Sequence, residues 1–131
     1  MIIDGSLPLG LISNTAAVMG VTIGKRHPGA VGRDVRDGAD REHLGIVALP
    51  IPILRGDAAS IRAVRETLYA EEYADLTVVD FSDTAQSCKT YDEFVGKMAG
   101  VSEEDLRYFG VAVFGDRKKV NKLTGSLPLL R

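Results

Sequence analysis

A chain of 131 residues with 45% hydrophobic and 26% charged side chains has ordinary globular composition, which excludes disordered and fibrous classes and supports one domain over residues 1–131. A formal net charge of −2 excludes a protein that holds nucleic acid through overall positive charge, so any RNA contact has to be local. The single cysteine, Cys88, excludes a disulfide framework, a redox pair and a metal knuckle.

Met1 to Ser6 shows no basic stretch leading into an apolar core, and no apolar run approaches the ~20 residues that a bilayer span needs, so a cytoplasmic protein without a membrane partner is expected. Ile2 and Ile3 open a short strand that the Gly5-Ser-Leu-Pro-Leu-Gly10 segment ends. From Leu11 to about Ile23 the chain is apolar around most of a helical circumference, with Ser13 and Asn14 as polar exceptions. Residues 24–43, with their glycines, Pro28 and alternating charges, read as a long surface loop, a candidate lid or partner surface. Ile46 to Leu54 reads as a strand in which Pro50 and Pro52 remove two successive donors from one side, which assigns it to an edge or a kink. Asp57 caps a helix with Ile61, Val64 and Leu68 at helical spacing, ending near Tyr73.

Leu76 to Phe81 is apolar on both faces, as an interior strand under helices requires, and carries Asp80 at its C-terminal end. Thr90-Tyr-Asp-Glu93 and Ser102-Glu-Glu-Asp105 each start a short helix. Val111 to Phe114 is the last strand, and Gly115-Asp116 turns the chain toward Val120 and the closing tail. This order predicts an α/β three-layer domain: a central mixed, mostly parallel sheet of about four strands flanked by helices. Gly-Ser-Leu-Pro-Leu occurs at 5–9 and again at 125–129 without wider similarity, which suits coincidence or matched extended ends rather than a solenoid.

Most catalytic signatures are absent. Gly20 to Lys25 is one residue short of a phosphate loop and lies at a helix end, His27 and His43 lack metal-ligand spacing, and no Gly-x-Ser-x-Gly elbow exists. No metal and no cofactor are expected. Arg117, Lys118, Lys119 and Lys122 form one local basic patch, explained as well by a solvated hairpin turn as by a phosphate-binding surface.

The closing Val120-Asn-Lys-Leu-Thr-Gly-x-Leu-x-Leu-Leu resembles the tail of type II peptidyl-tRNA hydrolases. Leu11-Ile-Ser-Asn-Thr-Ala-Ala after a Gly turn is similar to that family's first helix, with Asn14 in its glutamine position. Thr77-Val-Val-Asp-Phe-Ser-Asp-Thr-Ala-Gln86 is similar to its strand ending in Asp-Ala-Gly-Arg-Thr-Gln, with one residue inserted. The chain also resembles bacterial proteins of that superfamily classed only as a domain of unknown function. The resemblance implies a peptidyl-tRNA hydrolase II-like fold and hydrolysis of an acyl ester such as an aminoacyl- or peptidyl-tRNA linkage. Asp80 would be the base or water-orienting group, Thr84 its support and Asn14 a donor to the substrate carbonyl, with Gln86, Lys119 and Lys122 binding. The lysine expected beside the first helix is missing, because Gly10 runs directly into Leu11-Ile12. Two other readings stand beside it: a non-catalytic module for a small molecule or nucleotide, and a structural homodimer that covers an edge strand.

Overall fold

The computed structural model describes residues 1–131. Strand β1 (Ile2–Asp4) leads into helix α1 (Leu9–Arg26). After a one-turn 3-10 segment at Pro28–Ala30 comes a small hairpin of β2 (Val35–Arg36) and β3 (Glu42–His43). Strand β4 (Leu54–Gly56) and helix α2 (Ala58–Thr67) follow, then a 3-10 turn at Glu71–Tyr73. Strand β5 (Thr77–Ser82) passes into α3 (Asp83–Gln86) and α4 (Tyr91–Ala99), and a 3-10 turn at Glu103–Asp105 precedes β6 (Tyr108–Phe114) and the closing helix α5 (Arg117–Thr124).

The main sheet has the order β4-β1-β6-β5. It is mixed, as expected, but not mostly parallel: β1 pairs parallel with β4, while β6 runs antiparallel to both β1 and β5. The alternation of strands and helices suggested parallel crossovers, and it does not fix direction when a connection such as residues 83–107 brings the chain back between two earlier strands. Three strands, β1, β4 and β5, therefore point the same way and end at one edge of the sheet. Strand β5 is an edge strand rather than an interior one, and Thr77 to Asp80 are only half-buried. The outer edge of β4 is covered by the tail, where the Arg55 amide donates to the Pro128 carbonyl at 2.8 Å and the Leu130 amide to the Ile53 carbonyl at 2.9 Å. On its inner side the Gly5 amide donates to the Gly56 carbonyl, so the two Gly-Ser-Leu-Pro-Leu copies flank β4. They are not extended ends: each opens in a turn, and the first runs into α1 at Leu9.

Strand alternation sends successive side chains to opposite faces. Ile2, Val78 and Val111 pack with Ile61 of α2 and with Leu68 just after it, whereas Ile3, Phe81 and Ala112 pack with Met19 of α1. Helices thus cover both faces, in three layers. Helix α1 lies close on β6 because Gly110 has no side chain; a Cβ there would stand 2.8 Å from Thr15 Cγ2. It is longer than expected and stops where Pro28 disfavours helix for the residue before it. Helix α2 is shorter, ending at Thr67, and starts at a reciprocal cap in which Asp57 accepts from the Ser60 amide and Ser60 Oγ from the Asp57 amide. Of the strand expected over 46–54 only its end joins the sheet. Residues 46–53 form an arm held to the 30–32 segment by the Val31–Val47 bridge and by the Ala48 amide donating to the Ala30 carbonyl. No helix is long and apolar enough to cross a membrane.

Candidate ligand-binding site

The sheet has two ends of different chemistry. At the end where β1, β4 and β5 stop, helices α1, α2 and α3 begin, and polar side chains gather. Asp4 is buried; its carboxylate accepts from the Ser6 amide at 2.9 Å, the Ser6 hydroxyl at 2.6 Å and the Arg107 guanidinium at 3.2 Å. Burial alone raises an aspartate pKa, but these bonds outweigh it and hold Asp4 below its ordinary value. Beside it, Asp83 Oδ1 accepts from the Thr84 amide at 2.7 Å and the Arg107 amide at 3.2 Å, and Ser82 caps α3. The α1 N-terminus has no side-chain cap.

The residues assigned by resemblance divide between this end and the sheet faces. Asn14 Nδ2 donates to Gln86 Oε1 at 3.3 Å, so α1 and α3 meet there. Thr84 is near them on α3, its hydroxyl within 3.5 Å of Asp83 Oδ1. Asp80 does not join this group. It shares its sheet face with Val78, toward α2, and its Oδ2 accepts from Arg65 Nε at 2.8 Å, with Arg65 also stacked over Tyr69 at 4.0 Å. The carboxylate that follows the strand end is Asp83, because β5 runs to Ser82. Asp80 instead lines a recess of about 450 Å³ along the open edge of β5 with Thr22, Arg26 and Thr77. Asp4 and Arg107 were missed, although a carboxylate closing an apolar strand was a usable signal; Arg107 had none, since its partner lies 103 residues away.

Lys119 and Lys122 are at the other end of β5, on α5. The expected hairpin turn is a helix here: Asp116 accepts from the Lys118 and Lys119 amides and so starts it. Lys119 Nζ donates to the Glu72 carbonyl at 2.7 Å and pairs with Asp75 at 2.6 Å, while Lys122 pairs with Glu72 at 3.3 Å. Those bonds to Glu72 raise the Lys122 pKa above its ordinary value. Both lysines fasten α5 to the 3-10 turn before β5, and Leu123 packs into the α2-side core.

The opposite face of α5 turns to a cavity of about 850 Å³, within the usual range for small-molecule sites, and 14 of its 22 lining residues are hydrophobic. The sheet contributes Ile2 and Val111 to Phe114, and α1 contributes Gly20, Ile23 and Gly24. The arm closes another wall with Val31, Val47, Leu49 and Pro50 to Pro52. Prolines suit that wall, since this stretch belongs to no ladder that needs their missing donors. From α5 come Arg117, Val120, Asn121 and Thr124, one helical stripe at i, i+3, i+4 and i+7. His27 pins the adjoining corner: its Nε2 is 2.8 Å from Thr77 Oγ1 and its ring stacks on Phe114 at 4.1 Å.

A mixed sheet between helical layers, with a largely apolar hollow at one end, defines a layered α/β protein. The chain matches over residues 1–131 a family described as a protein of unknown function, DUF2000, and belongs to that family. Its fold is similar to that of the protein of unknown function Atu0240 from Agrobacterium tumefaciens strain C58. The TM-score is 0.87 at 20% identity, over 98% of this chain and 93% of that one. No curated protein matches the chain.

Proposed function

We propose that this protein is a non-catalytic binding module whose small-molecule ligand occupies the cavity between the arm, α1, α5 and the sheet end. The observation that supports it most is the cavity itself, about 850 Å³ with a predominantly hydrophobic lining. It also gives the closing sequence motif a use, since Val120, Asn121 and Thr124 face the hollow while Lys119, Lys122 and Leu123 hold the helix in place. The test is titration with decanol and decanoate, followed by calorimetry and thermal melting, on the wild type and on Gly24→Leu. A Cβ on Gly24 meets nothing within 4 Å, so the larger side chain extends into the hollow without a clash at its base. Saturable one-to-one binding that Gly24→Leu abolishes supports the reading. Absence of binding by both compounds, or binding that the variant leaves intact, defeats it.

Ester hydrolysis in a peptidyl-tRNA hydrolase II-like fold is the second reading, favoured by the polar end of the sheet. There Asp83 and Thr84 adjoin Arg107, a cation that could stand in for the absent lysine, and Asn14 is one helix away through Gln86. In this reading Asp83, and not Asp80, is the group to test. Cleavage of an aminoacyl or simple acyl ester by the wild type and its loss in Asp83→Asn would favour it over binding alone.

A further inference from the structure

We infer that the cavity selects an anionic amphiphile, a monocarboxylate with an apolar body, and that Arg117 and Asn121 hold its head; this rests on the binding reading above. The α5 stripe carries the argument. Arg117 is exposed at the cavity rim and forms no ion pair with any acid of the chain, whereas Lys119 and Lys122 on the other side of the same helix are both paired. Asp116, its neighbour, is committed to the amides of Lys118 and Lys119. No aspartate or glutamate lines the cavity; its charged groups are Arg117 and the α-ammonium of Met1, which is already bonded to the Pro52 carbonyl at 2.9 Å, so Arg117 is the cation left free for a bound group. One turn further on, the Asn121 side chain also has no partner in the chain, while the Thr124 hydroxyl already donates to the Val120 carbonyl at 2.8 Å.

The groups left free at this rim are thus a guanidinium and a carboxamide at i and i+4, on one side of a hydrophobic hollow. A planar guanidinium binds a carboxylate through two parallel bonds, and the amide adds a donor beside it. An apolar tail directed toward Val111, Val113 and Ile23 buries hydrocarbon. A neutral ligand would gain the second contribution without the first, and an ammonium ligand would meet a like charge.

The experiment compares decanoate with decanol, equal in carbon chain and different in charge, at fixed ionic strength near neutral pH. Arg117→Gln removes the charge from the rim, and Lys118→Gln removes one from a position that does not line the cavity. Expected is at least about tenfold tighter binding of decanoate by the wild type and by Lys118→Gln, with the preference reduced to within about twofold in Arg117→Gln. Equal affinity for the two compounds overturns the anionic inference and leaves the binding reading standing. An equal loss of preference in both variants overturns the role of Arg117 in favour of general surface charge. Failure of both compounds to bind the wild type removes the cavity reading and this inference together.

Discussion

Asp4→Asn removes the charge from the most buried carboxylate in the chain while keeping its size. The native side chain is 2% exposed and accepts three hydrogen bonds, two from Ser6 and one from Arg107. A bond to a charged group contributes about 1.5–3 kcal/mol against about 1 kcal/mol for a neutral one. The amide retains one oxygen for Ser6 but turns a donor or a weaker acceptor toward Arg107. Arg107 is 53% exposed, so water takes up its freed charge and the full penalty for an orphaned buried ion does not apply. The expected loss is about 2–3 kcal/mol in urea unfolding at neutral pH. The sign of the pH dependence follows from the depressed pKa. The stabilisation is complete above the unfolded value of about 3.9 and fades as pH falls through the folded value, so wild type and variant converge in acid. A loss below about 0.5 kcal/mol, or a gap that persists undiminished through the acid range, would refute the assignment of a stabilised carboxylate to Asp4. Decanoate binding at the other end of the sheet should be unchanged in Asp4→Asn.

Two glycines give opposite expectations. Gly115 has φ 151°, and a Cβ there would stand 2.5 Å from Leu76 Cδ2, so Gly115→Ala should destabilise by about 1–3 kcal/mol and loosen the start of α5; an unchanged urea midpoint would count against the close approach of Leu76. Gly96 lies inside α4 with open space where a Cβ would go, so Gly96→Ala should stabilise by up to about 1 kcal/mol in the same assay. A lower midpoint would show that this face of α4 is packed.

Much of the fold was legible because its signals are local. The Asp57 and Thr90 caps start the helices expected of them, and the strands expected at 76–81 and 111–114 correspond to β5, one residue later, and to the second half of β6, which begins three residues earlier. What escaped depends on partners distant in sequence. The direction of β6, and hence the small share of parallel pairing, is decided by where residue 108 returns, and no periodicity reports that. The edge position of β5 was hidden because its apolar faces are covered by helices on both sides, which makes an edge strand read like an interior one. The stretch 46–53 has strand composition, yet its two prolines and the lack of a neighbouring strand leave it as a cavity wall. The Asn14–Gln86 contact joins α1 to α3, while Asp80 is turned away by the two-residue alternation of its strand.

The contrast between the sheet's two ends bears on where binding free energy is available. At the polar end the charged groups find partners within the chain: Asp4 with Arg107 and Ser6, Asp57 with Ser60, Asp83 with two amides. Groups so engaged are explained by stability, and a ligand that recruited them would first have to break those bonds. At the other end the arm borders apolar surface, and the only charged side chain on the rim, Arg117, has no ion-pair partner in the chain. Filling that hollow removes hydrocarbon from water and offers the guanidinium an acceptor without undoing any hydrogen bond of the fold. If the binding proposal holds, a ligand gains more at the arm than at the strand ends, and Arg117, rather than Asp80, is the side chain whose removal should weaken it.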